Sequence, residues 1–449
     1  MKAPVRVVPA SAPLGRIAFM ARFIGNPLAA LPQAVFEEDL VPLGRANPRA
    51  LWITSPALVK AVLLDERERF RKTVAVRLLG PLLGKGILTS DGDDWIWQRR
   101  AAAPVFRTTG LPHFVPTFVR AAEDTVARWR ASPPGTVQAI DADMTRATFD
   151  VISSTLLPSA DAGFTDVLRG SVEALQRYGG VDILYASLNL PRWLPRPGGL
   201  AKHRAVQALR AAVLALVHER RARPGGADDL LDRLIAARDP ETGAAMDDAQ
   251  LVDNLLTFYL AGHETTAKAL TWTLYLLAIR PDWARRVREE VEQVTGGARL
   301  AGPHVGQLVL TEQVVKESMR LYPPAPIMSR QAVEPCELGG LRVDPGMSVI
   351  MPIYAMHRHA RRWADPDAFD PGRFAPGNDI PRYQYMPFGA GPRVCIGLSF
   401  AMMEATAILA TLVRAASFEA PPGAAPTPVA RVTLVPRGGM PLRVTPDAL

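Results

Sequence analysis

The chain has 449 residues, 48% of them hydrophobic, which is enough to bury a large core as one domain or as two or three. Basic residues outnumber acidic ones 52 to 44, giving a net charge of +8, and there are only two cysteines, Cys336 and Cys395. This composition excludes a disordered chain and a disulfide framework and fits a reducing cytosol; with no basic run interleaved with aromatics, it also argues against nucleic-acid binding.

The first forty residues are broken by Pro4, Pro9, Pro13, Pro27 and Pro32. They hold no apolar run near the roughly 20 residues a membrane span needs and no signal-peptide core, so the protein is expected to be soluble and cytoplasmic, without a membrane anchor. Residues 33–70 read as a small β-containing unit. Within it residues 49–54 form a strand, and Ser55-Pro56 starts a helix to about Leu64, with serine as N-cap and proline at the first helical position. Residues 71–92, with Gly80, Pro81, Gly84 and Gly86, read as an apolar loop. Trp95 and Arg99 are four apart, so on a helix they share a face, and two donors side by side can hold an anionic carboxylate.

Helices are expected over about 114–131, 141–157, 163–178 and 200–223, with a rigid connector over 191–199. A short helix from Asp228 to about Arg238 and a turn-rich linker over 239–245 follow. Residues 247–280 carry the longest helical pattern, with Asp247 and Gln250 as a capping box and Pro281 closing the far end. It is apolar on nearly every side, as a helix through a core must be. Yet its interior reads Ala261-Gly262-His263-Glu264-Thr265-Thr266, residues that cost stability in mid-helix. Such local breaks in the rules concentrate at functional sites.

A further helix covers 310–321 and places Glu317 and Arg320 one turn apart, before Pro323-Pro324. Residues 337–352 read as a β-hairpin with turns at Gly339-Gly340 and at 344–346, and 427–444 as two short strands around Arg437-Gly438-Gly439. Cys336 reads as incidental, in a loop flanked by proline and glutamate. Cys395 is different. It lies in Phe388-Gly389-Ala390-Gly391-Pro392-Arg393-Val394-Cys395-Ile396-Gly397, just before an apolar helical run from Leu398 to Ala415. Glycines let backbone approach something flat and large, and a helix N-terminus favours the thiolate, which is the form that binds metal.

This decapeptide resembles the haem-binding loop of the cytochromes P450, matching at Phe388, Gly389, Gly391, Arg393, Cys395 and Gly397. Further motifs resemble the family in its order, so that the likeness runs from about residue 33 to the end. The resemblance implies one P450 domain over residues 1–449, mainly α with a small β-rich lobe to which 33–70 and 337–352 contribute. It implies haem b (iron protoporphyrin IX) ligated by Cys395, with Phe388, Gly389, Ile396 and Gly397 around it. Trp95, Arg99, Arg330 and Arg393 would hold the propionates. Residues 261–266 match the family's oxygen-binding segment, Ala-Gly-x-Glu-Thr-Thr. That match implies a local opening of the helix over the haem, where Ala261 and Gly262 approach it, Thr265 hydrogen-bonds dioxygen and Glu264 relays protons. Glu317, Arg320 and Arg373 resemble the family's buried structural triad, although Gly372 stands where the family usually has glutamate. His263 is expected to be structural or outward-facing rather than a ligand, and His357 and Arg358 to be structural.

The implied activity is a monooxygenase, using electrons from a separate ferredoxin or flavodoxin with its NAD(P)H reductase. A peroxide-driven peroxygenase and a non-enzymatic haem or gas-binding protein are the alternatives; the Glu264-Thr265 pair argues against the first, and a complete relay against the second. Residues 71–92, Ala261, Ala325 and Ile327 line an apolar pocket in this reading, suited to a fatty acid, terpenoid or steroid-like substrate. The arginine excess fits either a diffuse surface charge or a docking face for an acidic redox partner.

Overall fold

The computed structural model describes residues 3–447 apart from 13, 45–46, 107, 134, 157–184, 186–193, 195–197 and 224–228. The expected helix over 163–178 and most of the 191–199 connector lie outside the described residues. The chain is mainly α with small β-sheets, and it gathers into two compact units. The first comprises Met1–Phe70, Thr108–Phe149 and Glu264–Leu449; the second comprises Arg71–Arg107 and Asp150–His263.

In the first unit the strand Ala50–Ile53, buried throughout, runs antiparallel to Leu40–Pro42 and parallel to Ser348–Met351, which pairs with Met328–Ala332. Pro56 opens the next helix as expected, but the Ser55 side chain makes no capping bond. That helix runs to Lys60 and widens into a π-helical turn, Ala61–Asp65. Behind the sheet a single apolar cluster joins Leu51, Ile53, Val62 and Met351 to Met386 and Ala390, so the cysteine loop is anchored on the β-lobe. Cys336 belongs to this cluster, in the strand Cys336–Leu338, and is a core residue rather than a loop residue.

The Gly339-Gly340 turn forms as expected, joining Cys336–Leu338 to Leu341–Val343 with both glycines at positive φ (56° and 81°). The strand after the second turn does not extend that hairpin; it enters the five-stranded sheet. A similar correction applies to the C-terminus. Leu434–Arg437 and Pro441–Pro446 flank Gly438-Gly439 but do not pair with each other. Leu434–Arg437 pairs with Thr427–Ala430, whereas Pro441–Pro446 lies between Val137–Ala139 and Ala416–Glu419. Two successive positive-φ glycines turn the chain out of the hairpin, and Met440 is captured by Ile140 N–H and by the Asp141 carboxylate.

Leu398–Ala415 is the one helix among the described residues long and apolar enough to cross a membrane, and 50% of it is buried inside the fold. It serves as a core helix: Phe400 packs edge-on against Phe118 of the helix Val115–Arg130, with ring centres 5.1 Å apart. Trp272 of the long helix Asp248–Ile279 stacks on Tyr322 at 4.1 Å and donates to the Leu434 carbonyl at 3.0 Å, which ties that helix to the C-terminal hairpin.

The second unit holds the helices Val74–Leu83, Gly92–Ala102, Gly199–Ala222 and Leu230–Ala236, and the long helix as far as His263. Val74–Leu83 corrects the expected loop. Its apolar residues form a short helix with Pro81 in the last turn, and Gly84 at φ 56° ends it. Past that end, Lys85 N–H donates to Asp253 and Ile87 N–H to Asn254, and Asn254 in turn bonds Gln98. The capping box at the start of the long helix forms reciprocally: Gln250 N–H donates to Asp247 Oδ1 at 2.7 Å and Asp247 N–H to Gln250 Oε1 at 3.0 Å.

Candidate active site

The cysteine loop is built before its thiol is considered. Gly389 and Gly391 both sit at φ 71°, a conformation that side chains resist, and a Cβ on Gly391 would lie 2.5 Å from the Leu63 carbonyl oxygen. Gly389 N–H donates to the Met386 carbonyl at 3.0 Å and Cys395 N–H to the Phe388 carbonyl at 2.9 Å, closing the loop on itself. Cys395 is left exposed three residues before the helix Leu398–Ala415, and Arg393 ends the short 3-10 turn Gly391–Arg393. Phe388, Ile396 and Gly397 are half-buried around it.

Among the described residues no group of three or more His, Cys, Asp or Glu could hold a metal ion. A soft, exposed thiolate is a donor that iron carried by a macrocycle would take. The donor set at Cys395 thus fits a haem.

Arg320 is fully buried, and every one of its five N–H groups is used. Nε and Nη2 clasp the two Glu317 oxygens at 2.6 and 2.8 Å. Nη1 donates to the carbonyls of His357 and Pro366, and Nη2 also to that of Ala368. Glu317, equally buried, accepts Asp370 N–H at 2.8 Å and lies 3.5 Å from Arg373 Nε. The structure therefore brings Glu317, Arg320 and Arg373 together, and Gly372 does not disturb the group. Burial raises the Glu317 carboxyl above its ordinary range, and the Arg320 bonds oppose that rise.

From this triad contacts run to the cysteine loop. His357 Nε2 accepts Met386 N–H at 2.9 Å, and Met386 holds Gly389. The His357 imidazole is pushed down to about 3 by burial, then by Arg320 and Arg358, so it is neutral and acts as an acceptor. Arg330 lies half-buried on Met328–Ala332 and bonds the Ser329 carbonyl; Ile327 is half-buried and Ala325 exposed just ahead of that strand.

The long helix runs unbroken through Ala261–Thr266, so the expected opening does not interrupt it as an element. Gly262 is tight for a local reason, since a Cβ there would meet Ile152 Cδ1 at 2.9 Å. His263 is buried, with Nδ1–H donating to the Tyr259 carbonyl one turn back, so of the two expected placements it is the structural one and not the outward-facing one. Glu264 accepts a hydrogen bond of 2.7 Å from Thr433, in the turn of the C-terminal hairpin. In the second unit Trp95 and Arg99 lie half-buried on the helix Gly92–Ala102, four residues apart.

Two of these partners escaped the sequence reading. Thr433 carries no motif and is found only through the fold. Glu404 left a signal: it is a lone carboxyl in the apolar run Leu398–Ala415. It is buried, which pushes it up to about 8, against which a hydrogen bond with the Thr266 side chain works. A carboxylic acid bonded to Thr266, the residue that follows Thr265, is thus kept protonated at neutral pH.

The family model of cytochrome P450 matches residues 40–441. Cyclooctatin synthase of Streptomyces melanosporofaciens is 34% identical, over 98% of this chain and 95% of its own. Cyclooctat-9-en-7-ol 5-monooxygenase of the same organism is 32% identical over 86% of this chain and 84% of its own. A cytokinin hydroxylase of Arabidopsis thaliana is 34% identical over 81% and 72%. The crystal structure of the cytochrome P450DA heme domain superposes with a TM-score of 0.80 at 28% identity, over 89% of this chain and 88% of that one. The cysteine loop, the fold and these relatives agree: the chain belongs to the cytochrome P450 family and is a haem-thiolate monooxygenase.

Proposed function

We propose that the protein is one P450 domain that holds haem b through Cys395. With it the protein inserts one oxygen atom of O2 into a hydrophobic small molecule, in the cytoplasm, with electrons from a separate ferredoxin or flavodoxin and its NAD(P)H reductase. The observation that carries the reading is an exposed cysteine on a loop whose glycines and backbone bonds set its shape. When bound, the haem supplies dioxygen activation at the cost of two electrons and two protons, and the second oxygen atom leaves as water.

The chain's own residues do the rest. Cys395 donates thiolate electron density, and Phe388, Gly389, Ile396 and Gly397 shape its loop. Arg330 and Arg393, and on their own helix Trp95 and Arg99, are the donors for haem propionates, arginine forks and indole N–H suiting carboxylate oxygens. Glu264, steadied by Thr433, takes protons from solvent, and Thr265 passes them on from the next position of the helix. Ala261 and Gly262 present small side chains on that helix; Ala261, Ala325 and Ile327 offer apolar contact to the substrate. Glu317, Arg320 and Arg373 hold the fold around the loop.

The substrate class is a terpenoid, fatty acid or steroid-like molecule, and cyclooctat-9-en-7-ol, the compound in one relative's name, heads the panel. Optical titration of the haem-loaded protein tests the reading. A thiolate-type Soret band that shifts towards the high-spin position with one of these compounds is the expected result. Cys395→Ser should lose the thiolate band, and a spectrum unchanged in that variant would refute the ligand assignment.

A further inference from the structure

One turn beyond the acid–alcohol pair the same helix carries a buried lysine. Lys268 follows Glu264 by four residues, so the two side chains share a helix face. Lys268 is only 8% exposed. Its ammonium donates to Thr145 Oγ1 at 3.3 Å, and that hydroxyl donates in turn to the Asp141 carbonyl at 2.6 Å. Two carboxylates act on it: Glu264 from its own helix, and Asp141 from the helix Ile140–Leu156. Asp141 is itself fixed by Met440 N–H at 2.9 Å.

Burial lowers the proton affinity of the Lys268 ammonium, while Glu264 and then Asp141 raise it. A lysine out of water keeps its charge only when opposite charge is near, and here the near charges are those two acids. Glu264 is held from another direction by the Thr433 hydroxyl. All six residues belong to the first unit.

We propose that Lys268 tunes Glu264: a buried ammonium one helical turn away supplies the positive charge in whose field the Glu264 carboxylate, held by Thr433, takes up and passes on protons. This rests on the reading of Glu264 as the proton carrier. An apolar side chain of similar length would fill the same space, so the work of Lys268 lies in its charge.

The haem-loaded protein labelled with [13Cε]lysine gives a readout independent of turnover, because the chain has only seven lysines to assign. The Lys268 signal should titrate below the ordinary lysine range, and lower still in Glu264→Gln. Coupling, read as product formed per NAD(P)H across pH 5.5–9, should move in Lys268→Met towards higher pH by about one unit, the scale for losing a nearby opposite charge. Lys268→Arg, which keeps the charge, should restore the wild-type profile. A Lys268 titration indifferent to Glu264→Gln, or a Lys268→Met profile that superimposes on wild type, overturns the proposal, and the first arm decides it even if Lys268→Met fails to fold. Coupling that survives Glu264→Gln while the Lys268 titration still moves in that variant overturns the proton-carrier reading instead.

Discussion

Replacing Arg320 by leucine removes five hydrogen bonds from a site with no access to water. Glu317 would keep only Asp370 N–H and the more distant Arg373, so a buried carboxylate would be left uncompensated, a change that costs about 3–5 kcal/mol. The carbonyls of His357, Pro366 and Ala368 lose their donor as well, at roughly 1 kcal/mol each before relaxation. These terms share one site and do not add, so about 4 kcal/mol is the expected loss, a large part of a typical stability of about 5–15 kcal/mol. Because the His357 carbonyl is one of those acceptors and His357 holds Met386, the loss should reach the cysteine loop and weaken the thiolate spectrum before global unfolding. Urea unfolding followed by tryptophan fluorescence and by the Soret band measures both effects. The double variant Glu317→Leu with Arg320→Leu removes the stranded charge, and should be at least about 2 kcal/mol more stable than the sum of the single losses predicts. An Arg320→Leu loss under about 1 kcal/mol, or strict additivity in the cycle, would refute the reasoning.

Thr265→Ala should slow the proton-dependent step by on the order of 10² and divert electrons into hydrogen peroxide, measured as peroxide released per NAD(P)H consumed; normal coupling in that variant would remove Thr265 from the relay. The depressed His357 imidazole contributes one identifiable part of the pH dependence of stability. Its folded value near 3 lies below the ordinary 6.5, so its contribution is complete above pH 6.5 and is lost as pH falls from there towards 3. Between pH 6.5 and 5 that is about 2 kcal/mol at most, from 1.36 kcal/mol per unit. His357→Gln, which keeps an acceptor for Met386 N–H, should flatten this part of the stability profile, and an unchanged acid slope would count against the assignment.

Local chemistry along the chain accounts for much of this protein. The glycine spacing around Cys395 declared a tight loop, because glycine readily takes the positive φ found at 389 and 391. Asp247 and Gln250 declared a helix start, and Gly339-Gly340 a two-residue turn, because those bonds and dihedrals are satisfied within four residues. Where the outcome depended on distant partners, the linear pattern failed. Gly80-Pro81 read as loop punctuation, yet residues 74–83 form a helix whose end is tied down by Asp253. Gly438-Gly439 read as a hairpin turn, but the strands on either side found other partners. The polar settings of the site were settled last. Thr433 reaches Glu264 across 169 residues, Lys268 meets Thr145 across 123, and Glu404 is kept protonated by burial in a packed core. Burial and long-range hydrogen bonding are properties of the packed chain, so no local residue pattern specifies them, and they are what turns a family motif into the particular electrostatics of this enzyme.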